Sequence, residues 1–303
     1  MSTTYAPTDA VRCSRWAREA GLQPIGTAGS YRGFLLVETP LPWPRDVGEI
    51  GSLAAIGSRP GWRLQALVPA SLDAPAAQRR VILHRRADGD DWFAGYSRIS
   101  AEHGASLPDA VSSLAGASGS EPDIDLLVCT HGRRDVCCGS LGTDLALQLA
   151  ARDATAGVRF WRTSHTGGHR FAATFMVLPQ GTGWAFAGVE LVDQVLARSV
   201  PFAQIADHYR GCAGLAGPQV QVMEREALIR ENWELLDTRR RGFATGETTS
   251  DGGRVYRLEA DSSAWEAVIR PGRTMPTPDC MKPLSEAKKS ETEWNVSDFR
   301  SVS

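Results

Sequence analysis

The residues able to do chemistry crowd into two short stretches. The first runs Cys129-Thr-His-Gly-Arg-Arg-Asp-Val-Cys137-Cys138-Gly139, and the second Trp161-Arg-Thr-Ser-His165-Thr-Gly-Gly-His169-Arg-Phe171. A cysteine closing an apolar strand, and another opening a helix, both lie where free backbone N–H groups and the helix dipole stabilise thiolates. In the second stretch, Gly167-Gly168 argues against a helical pair of histidines and for a tight loop on which both imidazoles face one point. Two thiolates and two imidazoles suit either a tetrahedral zinc ion or a 2Fe-2S cluster, and spacing alone does not choose between them. The close cysteine pairs of a zinc finger are missing, and the loops are long and glycine-rich, which favours the larger centre. A thiol enzyme using Cys129, with Cys137 or Cys138 as resolving thiol, is a third reading, weakened by the lack of a Cys-x-x-Cys.

Around these stretches the chain must supply strands that end together. Strands are predicted over Phe34–Glu38, Arg63–Val68, Arg80–His84, Trp92–Arg98, Asp125–Cys129 and Val158–Ser164. A helix is expected over Ser140–Ala151, and an antiparallel pair over His169–Leu178 and Trp184–Val189, turning at Gly181–Gly183. Further helices are predicted over Asp9–Gly21, Leu191–Ser199, Phe202–Tyr209 and Met223–Asp237, and a hairpin over Val255–Leu258 and Ala264–Ile269. The Ser-, Ala-, Gly- and Pro-rich stretch from Gly104 to Pro122 reads as a surface linker. These elements divide the chain into an N-terminal α/β domain (1–120), a central domain (121–217), a helix-and-hairpin extension (218–270) and a disordered tail (271–303). Leu35-Leu36-Val37-Glu38-Thr39 echoes Leu126-Leu127-Val128-Cys129-Thr130, and Gly51-Ser52-Leu53 echoes Gly139-Ser140-Leu141. An internal duplication, with Glu38 where the second copy carries a cysteine, would leave such echoes.

Composition narrows the classes. The chain has 303 residues, 42% of them hydrophobic and 22% charged, with a net charge of −2, so no strong field points to nucleic acid or an anionic membrane. No apolar run reaches the ~20 residues of a membrane span, and the polar start Met1–Ala10 does not resemble a secretory signal. A cytoplasmic location follows as the expectation. There, cysteines clustered as Cys129, Cys137 and Cys138 signal metal or redox chemistry rather than disulfides. Cys13 and Cys212 read as inert buried thiols and Cys280 as an exposed one. His131 reads as loop support, and Arg239-Arg240-Arg241 as a solvated run.

The segments VCTHGRRDVCCG, WRTSHTGGHRFAAT and LPQGTGWAFAG, together with CSRWAREAGLQPIGTA and FLLVETPLPWP, resemble the sucrase/ferredoxin-like family. The resemblance implies an α+β fold with a thioredoxin-like ferredoxin domain, and a 2Fe-2S cluster held by Cys129, Cys138, His165 and His169. Cys138 is preferred to Cys137 because the family's second cysteine directly precedes a glycine, here Gly139. With two neutral imidazoles replacing thiolates, such a cluster has a raised potential. No coordination position is open, so one-electron transfer to a redox partner protein is the expected task. The family's name gives no reason to expect sugar hydrolysis, which needs two carboxylates facing across a cleft.

Overall fold

A computed structural model describes residues 10–87, 91–117, 124–153 and 155–302. In chain order these form β1 (Ala10–Val11), α1 (Cys13–Glu19), β2 (Gly33–Glu38), α2 (Gly51–Ala54), β3 (Trp62–Leu67), β4 (Arg80–Arg85), β5 (Ser97–Glu102) and α3 (Leu107–Gly116). There follow β6 (Ile124–Cys129), α4 (Thr143–Ala150), β7 (Val158–Thr163), β8 (Phe175–Leu178), β9 (Thr182–Trp184), α5 (Val189–Ala197), β10 (Tyr209–Cys212) and α6 (Gly217–Glu231). The chain ends with β11 (Arg240–Thr248), β12 (Arg254–Ala260), β13 (Ala264–Pro276), β14 (Lys282–Pro283) and β15 (Ser290–Val302). The architecture is α+β, built on a mixed sheet of nine strands in the order β10-β9-β8-β6-β7-β3-β2-β4-β5.

The two halves of that sheet follow one plan. In each, two parallel strands joined through a helix (β2 and β3 around α2, β6 and β7 around α4) are followed by two antiparallel strands on the outer side of the first. The halves meet where β3 and β7 run antiparallel. Glu38 and Cys129 are each the last residue of the first strand of their half. Phe34–Val37 of β2 and Phe175–Leu178 of β8 read as unbroken apolar runs, and every residue of both strands is buried. In β2, Phe34 and Leu36 enter one core with Leu126, Phe175 and Trp184, while Leu35 and Val37 enter another with Trp43, Leu53 and Val111. Between them, Asp125 is buried without solvent contact and accepts from His84 Nε2 (2.7 Å), Arg98 Nε (2.8 Å), Trp161 Nε1 (2.8 Å) and Arg159 Nε (3.2 Å).

Several expectations need correction. The predicted linker from Gly104 to Pro122 contains α3, capped by the Ser106 hydroxyl accepting from Asp109 N–H. Its Leu107, Val111 and Leu114 recur at helical spacing and are buried, a stripe that the small residues between them obscured. Residues 118–122 of that segment, and residues 1–9 of the N-terminal stretch, lie outside the described residues. The stretch Phe202–Tyr209 is two short 3₁₀ turns leading into β10 rather than a helix. His169–Phe171 is likewise a 3₁₀ turn, and only Phe175–Leu178 of the predicted strand pairs. The strand expected at Trp92–Arg98 begins only at Ser97.

The largest difference is the tail. Residues 271–303 were expected to be disordered, yet β13 extends to Pro276 and β15 pairs along it, completing a four-stranded sheet β11-β12-β13-β15. The long pairing satisfies the backbone, and Trp294, Val296 and Phe299 add apolar contacts to the main core, so a polar composition does not prevent order. The run Arg239-Arg240-Arg241 is solvated only in part. Arg240 is buried against Glu224 at 2.7 Å, while Arg239 and Arg241 pair with Asp261 and Glu259. Among the described residues, no helix is long and apolar enough to cross a membrane.

Candidate metal centre

Cys129 ends β6, and its backbone N–H donates to Thr174 O, which fixes the thiol at the sheet edge. The loop that follows folds back tightly on it. A side chain on Gly142 would come within 1.9 Å of Cys129 O, and one on Gly139 within 2.4 Å of Gly132 Cα, so both positions require glycine for backbone to meet backbone. Asp135 organises this loop from within. Its Oδ1 accepts from the N–H groups of Cys137 (2.9 Å) and Cys138 (3.1 Å), which turns the chain into the π-helical turn Cys138–Gly142. Adjacent side chains then diverge: Cys138 faces Cys129, and Cys137 faces away toward Cys280.

The histidines arrive from the opposite side. β7 leads to His165, whose carbonyl accepts from the Arg63 guanidinium. Gly167 and Gly168 take φ of 85° and 65°, reversing the chain into the 3₁₀ turn that carries His169. Arg210 packs beneath this reversal so closely that a side chain at Gly168 would touch its guanidinium at 2.6 Å. Burial pulls Arg210 down to about 10, while the nearby thiols of Cys129 and Cys138 favour its charge.

The structure brings Cys129, Cys138 and His165 to one point, with His165 Nδ1 at 3.8 Å from each sulfur. His169 stands beside this trio, its ring centroid 6.0 Å from that of His165. Its Nδ1, however, lies 3.1 Å from Asp135 Oδ2 and 3.5 Å from Cys13 Sγ. His131 points elsewhere, with Nε2 at 2.8 Å from Pro44 O and its ring edge-on to Trp43, so it braces the loop. Glu38, in the place that corresponds to Cys129, accepts from the backbone N–H groups of Ala70 and Arg80, which is a structural task.

The donor atoms of the trio decide what it can hold. A hydrogen bond from the Cys138 thiol holds the Cys129 thiol well below its ordinary range, against the effect of burial. The same contact, with burial, pushes Cys138 well above it. Thiolate ligation needs both sulfurs deprotonated, and a cation held between them favours that form. The donor set thus fits a thiolate- and imidazole-bound metal centre.

A second group of ligating atoms lies next to the first. Cys13, Asp135, Cys137 and Cys280 place their sulfur and carboxylate atoms within 4.8 Å of one another. Sequence reasoning left Cys13 and Cys280 as unremarkable thiols because they lie far along the chain from Cys137 and from each other. The only local signal was the adjacency of Cys137 to Cys138, which requires one of them to face a different neighbour.

The profile of the sucrase/ferredoxin-like family matches residues 24–211, which takes in both motif stretches and most of the nine-stranded sheet. No curated protein and no solved structure matches the chain. With the family profile covering more than half of its length, the chain belongs to the sucrase/ferredoxin-like family.

Proposed function

We propose that this protein is a one-electron carrier with a 2Fe-2S cluster held by Cys129, Cys138, His165 and His169. The convergence of two buried thiols on His165 Nδ1, at 3.8 Å each, carries this reading. When bound, the cluster supplies a reversible one-electron couple without exposing an open metal position. The chain's own residues do the rest. Cys129 and Cys138 are inaccessible to solvent and keep the thiolate side dry. His165 and His169 are partly exposed and form the outer edge. His165 lines a cleft of about 690 Å³ together with Arg45, Arg59, Arg63 and Arg134, so a redox partner with an acidic contact face is the complement.

The buried position of Cys129 also weighs against a thiol enzyme, since a disulfide or peroxide substrate must reach the nucleophile. Zinc in the same four ligands is the reading to separate by experiment. Protein purified anaerobically is expected to be coloured, to contain iron and acid-labile sulfide in equal amounts, and to show a potential that shifts with pH through the histidine ligands. A colourless protein with one zinc at Cys129 and Cys138 would replace the carrier reading.

A further inference from the structure

Three cysteines from the two ends and the middle of the chain, none of them a proposed cluster ligand, meet beside His169, whose Nδ1 lies 3.5 Å from Cys13 Sγ and 3.1 Å from Asp135 Oδ2. Cys13 opens α1, Cys137 lies in the cluster loop, and Cys280 lies between β13 and β14. The short pairing of β1 with β14, Ala10 with Pro283 and Val11 with Lys282, brings the first and last of these together. The Met281 N–H bond to Val11 O at 2.8 Å reinforces it. Cys137 Sγ and Cys280 Sγ are 3.1 Å apart, too far for the ~2.05 Å of a disulfide. All three cysteines are free, and Cys13 and Cys137 are almost wholly buried. Asp135 Oδ2 stands 3.6 Å from Cys13 Sγ.

We propose that Cys13, Cys137, Cys280 and Asp135 form a second, mononuclear site for a zinc-type divalent cation, separate from the cluster. Four donors around zinc, with Zn–S near 2.3 Å, lie about 3.8 Å apart. The contacts here span 3.1 to 3.6 Å between measured neighbours, with every pair inside 4.8 Å, so small side-chain rotations suffice. Three sulfur donors select zinc over magnesium or calcium, and four protein ligands leave no position for substrate, which makes the site structural. Asp135 links the two centres, since its other oxygen accepts the N–H of Cys138. The site also explains the adjacent cysteines: Cys138 serves one centre and Cys137 the other.

The test is metal analysis of the full chain, read separately for zinc and iron. Wild type is expected to hold one zinc per chain, and Cys280→Ser, at a half-buried position, to lower it to near zero while iron, sulfide and visible colour persist. The cluster reading fails through iron and sulfide; the present proposal fails through zinc, so the two are distinguishable. Cobalt(II), supplied during growth in place of zinc, reports on the wild-type chain without any substitution. Tetrahedral d–d absorption with intense thiolate-to-cobalt bands, together with protection of Cys13, Cys137 and Cys280 from alkylation, is the supporting result. Zinc-free wild-type protein in which these three thiols alkylate freely, or a Cys137–Cys280 disulfide found by mass, would overturn the proposal.

Discussion

Cys137 and Cys138 are neighbours in sequence with different partners in space, and this divergence makes a sharp prediction. Cys138→Ser removes one of two sulfurs facing His165 and is expected to abolish visible colour and bound iron. Cys137→Ser is expected to retain both, because its sulfur faces Cys280. Absorption spectra and iron content of the two variants, purified side by side, decide it; equal loss in both would show that the loop does not separate their roles. The motif residues were legible at this scale because thiols and imidazoles are rare and clustered. The role of Arg210 was not, since a guanidinium folded under a turn looks like any other charged residue until the chain closes around it.

At the scale of elements, the cluster loop depends on backbone packing that tolerates no side chain. Gly142→Ala places a methyl group 1.9 Å from Cys129 O, so either the π-helical turn or the end of β6 must move. A loss of about 1–3 kcal/mol is expected, seen as a lower urea midpoint, with cofactor content falling further than stability does. Gly104→Ala, at a position with open space around it but a positive φ of 61°, is the milder comparison. Most strands of the sheet were readable from short apolar runs bounded by Pro and Gly. The helix α3 and strand β15 were not, because Ser, Ala, Lys and Glu carry little periodic signal, and each element is ordered by what it packs against. The shared plan of the two half-sheets, with Glu38 and Cys129 in corresponding places, is what an internal duplication would leave.

Across the whole molecule, Asp125 ties the two halves together, joining β6 and β7 to β4 and β5 through a single carboxylate. Burial opposes its ionisation, but the His84, Arg98 and Trp161 donors outweigh it and hold the carboxyl below its usual range. His84 shifts down as well, through burial. Both shifts have the same sign for stability. A folded-state value below the unfolded one gives stabilisation that is complete above the unfolded value and fades as pH falls through the folded one. Unfolding midpoints are therefore expected to decline first below about 6.5, as His84 gains a proton preferentially in the unfolded chain, and again in the carboxylate range. Asp125→Ala leaves the buried Arg98 guanidinium without its carboxylate and is expected to cost about 3–5 kcal/mol, with a flatter acid limb in the pH–stability curve. A midpoint indifferent to either change would remove the carboxylate from the centre of the fold.

The pairing of β1 with β14 also has a consequence in time. Cys13 leaves the ribosome long before Cys280, and at about 5–20 residues per second the interval between them is on the order of tens of seconds. Throughout that interval the early thiols have no late partner. Loading of the second centre is thus an event of the finished polypeptide, and a nascent chain halted before Cys280 should emerge with Cys13 still open to any thiol reagent in its surroundings.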